Sequence, residues 1–226
     1  IVFLHGDGSP NSPRPGIPKK SQIRFAKELI NDDNNIFLFA RPGYFIRERG
    51  SSEEDRYSSG PRNAIKSTVV NYDWKNFQIL APALQNLKKY YKPKKLILIG
   101  HSGGAYQGGT IHGKVPGLVD INILISCPCD WEIRKKLSNG KKWETKSQLK
   151  ELKKNSPSFN YKDIDLKSLN ILIVGKDDKN TAPGVSKYYY DLLKKKKLQV
   201  KLHIIDGGHG LGSMPTIGSI IKEYIN

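Results

Sequence analysis

Short apolar runs alternate with longer amphipathic stretches along this chain. Six runs rich in Ile, Leu, Val and Phe predict strands at residues 1–4, 36–40, 96–100, 121–126, 170–175 and 200–205. Helical periodicity predicts helices at about residues 20–31, 75–91, 103–112, 185–197 and 214–225. Because strands and helices alternate, the pattern predicts an α/β fold with a mainly parallel, doubly wound sheet and helices on both faces.

Two stretches depart from this alternation. Residues 44–73 form a polar segment rich in Gly and Ser, and a loop of that length is uncommon unless it serves a site or is disordered. Tyr44, just past a predicted strand, either faces the site or packs as a plain aromatic. Residues 129–170 predict a small helical lid of two short helices, in which Trp131 and Trp143 either wall a substrate pocket or anchor the lid.

The pentapeptide GHSGG at residues 100–104 fits the pattern G-x-S-x-G and directly follows a predicted strand. A serine hydroxyl is a poor nucleophile, so an enzyme that uses one must project it from the fold beside a base. A sharp strand-to-helix turn does this, and flanking glycines relieve its crowding. The pattern predicts that Ser102 is a nucleophile, with His101 as a structural residue of the turn.

Acidic and histidine residues follow apolar runs later in the chain. Asp177 and Asp178 come after the run at 171–174, and His209 lies in a G-G-H-G segment after the run at 202–205. The order serine, acid, histidine is that of the α/β-hydrolase fold. Since ligands bind beyond the carboxyl ends of the strands in an open parallel sheet, these groups are expected to meet at one edge.

The first predicted strand is followed by His5-Gly6-Asp7-Gly8. The tetrahedral intermediate of acyl transfer carries an oxyanion, which needs preorganised N–H donors. One donor comes from the residue after the nucleophile, here Gly103, and the other from the loop after an early strand. We expect the amides of Asp7 and Gly103 to form the oxyanion hole.

These motifs together make the chain resemble the α/β-hydrolase superfamily, in particular the branch of single-domain esterases and peptidases similar to dienelactone hydrolase and prolyl oligopeptidase. The resemblance extends over nearly the whole chain. Further segments that contribute to it are RPGY at 41–44, CPCD at 127–130, SPSFNY at 156–161 and GKDDKNT at 175–181.

The resemblance implies a single α/β-hydrolase domain over residues 1–226. Such relatives place the acid three residues after the glycine of this last segment, which favours Asp178 over Asp177. They also carry one or two strands before the strand that precedes the H-G loop. We therefore expect the N-terminal strands to be missing and the chain to be a piece of a longer protein.

The formal net charge is +17, and lysines are grouped at predicted helix ends, as at residues 92–95 and 194–197. Cations there interact favourably with the helix dipole and stay solvated. Nucleic-acid binding usually adds interleaved aromatic residues or arginines placed for bidentate contacts, so no specific nucleic-acid partner is expected. No apolar run approaches the roughly 20 residues of a membrane span.

Cys127 and Cys129 are two residues apart. A bridge between such close partners is expected to be strained, and a metal site would need further ligands nearby, so we expect two small buried thiols. Sparing use of cysteine suits a reducing compartment, and we expect a cytoplasmic protein. A signal peptide removed from the mature protein is the open alternative.

The sequence thus predicts a serine hydrolase that cleaves carboxyl esters of small or medium size through an acyl-enzyme. Ser102, Asp178 and His209 would form the triad, with Tyr44 and Trp131 as candidate substrate-binding residues. Neither metal nor organic cofactor is expected, and the expected partner is a small-molecule ester or amide. The alternatives are a serine peptidase for short peptides and a non-catalytic binding protein of the same fold. The oligomeric state is left open.

Overall fold

The computed structural model describes residues 1–7, 16–17, 20–41, 45–46, 74–138, 146–213 and 215–225. Its main sheet has six strands, all parallel to their neighbours, in the order β3-β1-β5-β6-β7-β8. These strands are β1 (Val2–Leu4), β3 (Phe37–Phe39), β5 (Ile97–His101), β6 (Ile121–Ile125), β7 (Leu169–Gly175) and β8 (Gln199–Ile205). Two further short strands, β2 (Gly16–Ile17) and β4 (Phe45–Ile46), pair with each other in parallel and were not predicted.

Helices cover both faces of the main sheet. They are α1 (Lys20–Leu29), α2 (Trp74–Tyr91), α3 (Gly103–Lys114), α4 (Trp131–Leu137), α5 (Lys146–Lys154), α6 (Pro157–Asn160), α7 (Pro183–Lys195) and α8 (Pro215–Ile225). Among the described residues, 3₁₀ turns add Tyr161–Asp163 and His209–Ser213. The predicted doubly wound α/β fold is confirmed, with every predicted strand and helix of the alternation present and no end displaced by more than two residues.

Alternation along the strands sends apolar side chains to both faces of the sheet. On one face, Phe3, Ile99 and Ile123 pack against α1 and α8. On the other face, Leu98 and Leu124 belong to the core shared with α2, α3 and α7. A strand buried on both faces reads as a continuous apolar run, which is why the strands were recognisable in the sequence.

The predicted lid segment contains three short helices, α4, α5 and α6, where the sequence predicted two. They pack against one another and against α3 and α7. Asp130 caps α4 by accepting a hydrogen bond from the backbone N–H of Ile133 at 2.9 Å, and it also accepts one from the Ser158 hydroxyl at 2.6 Å. The second tryptophan of the predicted lid, Trp143, lies outside the described residues.

The expectation of two free thiols was wrong, because Cys127 and Cys129 form a disulfide. Their Cα atoms are 5.0 Å apart, within the usual range for a bridge. A separation of two residues allows this distance, so close spacing in the sequence does not exclude a bridge. Both sulfurs are buried, and the pairing removes the cysteine argument for a reducing compartment.

None of the helices in the described part of the chain combines the length and the apolar character that crossing a membrane requires.

Ile123 lies at the centre of the sheet and is fully buried, so truncating it removes packed apolar surface. We expect Ile123→Ala to lower the free energy of unfolding by about 2–5 kcal/mol, measured by urea denaturation. The matched control is Ile79→Ala on α2, because Ile79 is 51% exposed. Its loss should stay within about 0.5 kcal/mol, and equal losses in the two variants would contradict this assignment of the core.

Candidate active site

Ser102 occupies the turn between β5 and α3 with a backbone φ of 51° and ψ of −117°. Positive φ is unfavourable for a residue with a side chain and persists only where the surrounding structure imposes it. Here neighbouring glycines make room. A Cβ at Gly104 would lie 2.6 Å from the carbonyl oxygen of His5, and one at Gly100 would lie 2.5 Å from the carbonyl oxygen of Gly104. The turn therefore has the strained geometry predicted for a nucleophile elbow.

The imidazole of His209 bridges two side chains that are distant in the sequence. Its Nε2 lies 2.9 Å from Ser102 Oγ, and its Nδ1 lies 2.9 Å from Asp178 Oδ2 and 3.1 Å from Oδ1. A carboxylate only accepts, so Nδ1 carries the proton and donates it to Asp178. Nε2 is then the acceptor for the Ser102 hydroxyl, which is the arrangement of a general base beside a nucleophile.

The carboxyl of Asp178 is buried and held by several donors. Its Oδ1 accepts hydrogen bonds from the backbone N–H groups of Asn180 at 2.9 Å and Thr181 at 2.8 Å. Burial by itself raises the pKa of Asp178, but hydrogen bonds from His209 and Thr181 outweigh it and lower the pKa to about 2. Asp178 is therefore ionised at neutral pH, whereas Asp177 is exposed and makes no contact of this kind with the imidazole.

The predicted oxyanion loop lies against the nucleophile. A Cβ at Gly6 would come within 3.2 Å of the Cβ of Ser102, so only a glycine lets the loop approach this closely. Gly103 is the first residue of α3, and the first N–H groups of a helix have no intrahelical acceptor. These positions are compatible with the amides of Asp7 and Gly103 as oxyanion donors, and that role stays a prediction.

A buried arginine braces this loop. Arg41 is 1% exposed and donates 2.8 Å hydrogen bonds to the carbonyl oxygen of His5 and to Asp7 Oδ1. Its backbone N–H also donates to Nε2 of His5 at 3.1 Å, so the His5 ring carries its proton on Nδ1, which donates to Gly6 O at 2.8 Å. The sequence analysis named Arg41 only as part of the segment RPGY at 41–44. Its place in a segment that contributes to the family resemblance was the one available signal of a role.

The side chain of His101 contacts the backbone of His209. Its Nε2 donates a 2.9 Å hydrogen bond to the backbone carbonyl of His209, and the two rings lie 5.5 Å apart. Burial lowers the pKa of His101 to about 4, so its ring is neutral at physiological pH. This geometry is consistent with the structural role that was expected for it.

Of the two candidate substrate-binding residues, the structure describes only Trp131. Trp131 is 3% exposed and packs in the core, 6.1 Å from the ring of Tyr106 and beneath the guanidinium of Arg134. That is the contact pattern of an anchor, and a substrate contact for Trp131 stays a prediction. Tyr44 and the rest of the polar loop, apart from Phe45 and Ile46, lie outside the described residues.

Sequence reasoning missed Thr181. Its hydroxyl lies 2.7 Å from Asp178 Oδ2 and 3.2 Å from His209 Nδ1, inside the hydrogen-bond network of the candidate triad. The residue sits three positions after the acid in the segment GKDDKNT. Nothing in a single sequence distinguishes this hydroxyl from that of any other loop threonine.

The sequence pattern of the Peptidase_S9 family, described as the prolyl oligopeptidase family, matches residues 30–223. The chain belongs to the prolyl oligopeptidase family. It is thus a serine hydrolase of the α/β-hydrolase superfamily, as the resemblance implied. The matched region includes Ser102, Asp178 and His209. No curated protein sequence matches this family member.

Solved structures share its fold. Acylaminoacyl peptidase from Pyrococcus horikoshii aligns with a TM-score of 0.68 at 16% identity, over 99% of this chain and 36% of that protein. Esterase Pf2001 from Pyrococcus furiosus aligns with a TM-score of 0.65 at 19% identity, over 100% of this chain and 83% of that one. Carboxyl esterase 2 from Tuber melanosporum gives 0.62 at 14% identity, over 100% and 78%. This prolyl oligopeptidase family member thus spans about a third of the peptidase and most of each esterase.

The low pKa of Asp178 predicts a pH dependence of stability. Because the folded pKa is depressed from 3.8 to about 2, the carboxylate stabilises the fold above pH 4 and loses this contribution as the pH falls toward 2. Wild type should therefore lose more stability than Asp178→Asn between pH 5.5 and pH 3, measured by urea unfolding at each pH. The matched control Asp177→Asn changes an exposed carboxyl and should follow wild type. Parallel curves for wild type and Asp178→Asn would contradict the assignment.

Proposed function

We propose that this protein hydrolyses carboxyl esters of small or medium size through an acyl-enzyme, with Ser102, His209 and Asp178 as the triad. The observation that carries the proposal is the unbroken hydrogen-bond path from Ser102 Oγ through the imidazole to a buried carboxylate. The proposal treats residues 1–226 as one α/β-hydrolase domain, which the single six-stranded sheet supports.

Acylation begins when Nε2 of His209 takes the proton of Ser102 as the hydroxyl oxygen attacks the carbonyl carbon. Asp178 keeps the imidazole in the tautomer that leaves Nε2 free to accept, and stabilises the imidazolium that forms. The carbonyl oxygen becomes an oxyanion, for which the amides of Asp7 and Gly103 are the proposed donors. The imidazolium then gives its proton to the leaving alcohol, and the ester bond breaks.

Deacylation repeats the same roles with water. His209 takes a proton from a water molecule as its oxygen attacks the acyl carbon, and then returns that proton to Ser102 Oγ as the acyl group leaves. His101 is not needed for either step, because its Nε2 is engaged by the backbone of His209 and its ring is neutral.

Several of the solved structures with this fold are named as esterases, which favours esters over peptides. The chain spans 83% of the Pyrococcus furiosus esterase and 91% of esterase PE8, but 36% of the acylaminoacyl peptidase. A peptidase for short peptides is the second candidate, favoured by the family match and by the TM-score of 0.68 to the acylaminoacyl peptidase.

A fluorophosphonate probe tests the nucleophile, since it phosphonylates a serine only when a neighbouring base activates it. We expect wild type to be labelled and Ser102→Ala to lose labelling completely, read by in-gel fluorescence or intact mass. Ser186→Ala is the control, because Ser186 lies on α7 and its buried hydroxyl has no hydrogen-bond partner among the described residues, so no base activates it. Its labelling should persist. A folded wild-type protein that resists the probe would favour a non-catalytic binding protein.

A substrate panel tests the ester preference. We expect kcat/KM for p-nitrophenyl esters of two to eight acyl carbons to exceed that for aminoacyl p-nitroanilides by about tenfold or more, equivalent to roughly 1.4 kcal/mol in the barrier. Absorbance at the p-nitrophenol and p-nitroaniline wavelengths gives both rates, and Ser102→Ala supplies the background. Faster cleavage of the anilides would instead establish the peptidase alternative.

A further inference from the structure

Thr181 lies in the loop between β7 and α7 and is 1% exposed. Its hydroxyl oxygen is within hydrogen-bond distance of three groups that belong to different parts of the chain. These are Asp178 Oδ2 at 2.7 Å, the backbone carbonyl oxygen of Ser126 at 3.1 Å and His209 Nδ1 at 3.2 Å. The mechanism described above assigns no role to this hydroxyl.

The number of donors and acceptors around Thr181 Oγ1 indicates which hydrogen bond its hydroxyl donates. A carboxylate and a carbonyl only accept, so the single hydroxyl proton points to Asp178 or to Ser126. The contact with Asp178 is shorter and its acceptor is ionised, which makes it the stronger bond. The lone pairs of the hydroxyl oxygen then remain available to the N–H of His209.

The two oxygens of Asp178 are held in different ways. Oδ1 accepts from two backbone amides of its own loop. Oδ2 has no such backbone support among the described residues and is shared by the Thr181 hydroxyl and the His209 imidazole. The hydroxyl is therefore the group that fixes Oδ2 independently of the imidazole.

The backbone of Ser126 gives independent support for a fixed position of the Thr181 hydroxyl. Ser126 directly follows β6 and has a φ of 50°, a backbone conformation that is unfavourable for a residue with a side chain and tends to occur at functional sites. Its N–H donates to Ile173 O at 2.8 Å, while its carbonyl faces the Thr181 hydroxyl. The carbonyl of Ser126, in strained backbone just after β6, is thus the second partner that holds the Thr181 hydroxyl in place.

We propose that Thr181 is a positioning residue of the triad, whose hydroxyl holds Asp178 Oδ2 in line with His209 Nδ1. The inference rests on the proposed function, since it assigns Thr181 a part in the same site. A carboxylate held in line stabilises the imidazolium that forms as Ser102 attacks, so the hydroxyl acts on catalysis through Asp178.

Thr181→Val is the direct test, because valine has nearly the shape of threonine and lacks the hydroxyl. We expect kcat on a p-nitrophenyl ester to fall about tenfold, equivalent to roughly 1.4 kcal/mol, with little change in KM. The acid limb of the kcat/KM profile should move to lower pH, because an imidazolium with a poorly aligned carboxylate loses its proton more easily. Thr181→Ser restores the hydroxyl and should return both values toward wild type.

Thr110→Val on α3 is the matched control. Thr110 is also buried, and its hydroxyl contacts the backbone carbonyls of Tyr106 and Asn155 but no triad residue. Removing it should lower the thermal midpoint as Thr181→Val does, while kcat and the pH profile stay at wild-type values. If Thr181→Val does not fold, Thr181→Ala compared with Thr181→Ser makes the same test.

Three outcomes would overturn the proposal. One is a folded Thr181→Val with wild-type kcat and acid limb, and another is a Thr181→Ser variant as impaired as Thr181→Val. A shift of the acid limb to higher pH would show that the hydroxyl competes with the imidazole for Oδ2 and does not align it. In each case a wild-type protein that reacts with the fluorophosphonate leaves the proposed function standing. A wild-type protein that does not react overturns both.

Discussion

The parallel register of the main sheet is the constraint on which the candidate site depends. Hydrogen bonding aligns one row of residues across five neighbouring strands: Leu4, Gly100, Leu124, Leu172 and Leu202. Ser102, Asp178 and His209 all follow this row within a few residues, so their loops leave the sheet at the same edge. Because the strands run in the same direction, the sheet brings loops that are more than 100 residues apart in the sequence to the same edge.

Two charged groups buried at this edge need compensation. Asp178 and Arg41 are both nearly inaccessible to solvent, and a charge in that environment is costly unless it is paired and hydrogen-bonded. Asp178 is satisfied by two amides, a hydroxyl and an imidazole, and Arg41 by a carbonyl and the carboxylate of Asp7. The same bonds that offset burial also orient the imidazole and brace the loop at Asp7. Stabilisation of the fold and organisation of the chemistry are therefore achieved by the same contacts.

Particular residues show where sequence reasoning succeeded and where it failed. The elbow at Ser102 was recognisable because glycine is required where another segment of the backbone leaves no room for a Cβ. This requirement falls on residues adjacent in the sequence, so a short motif records it. The state of Cys127 and Cys129 was predicted wrongly, because a bridge depends on the distance between the Cα atoms, which is 5.0 Å here and cannot be read from the spacing in the sequence. Trp131 was left between two interpretations, since an apolar ring suits a pocket wall and a core equally. In the structure its ring lies 6.1 Å from the ring of Tyr106 on α3.

The sequence by itself determined the alternation of the main-sheet strands with their helices, the fold class and, together with the family resemblance, the three residues proposed as the triad. The strands, Ser102 and His209 follow from periodicities or motifs only a few residues long, whereas the choice of Asp178 over Asp177 follows from the resemblance. Only the tertiary structure decided that Thr181 joins the triad network, that Arg41 braces the loop at Asp7 and that the cysteines pair. These contacts depend on which rotamers and backbone bends bring separate segments together. A one-dimensional pattern does not encode such distances, because they arise from the packing of the whole chain.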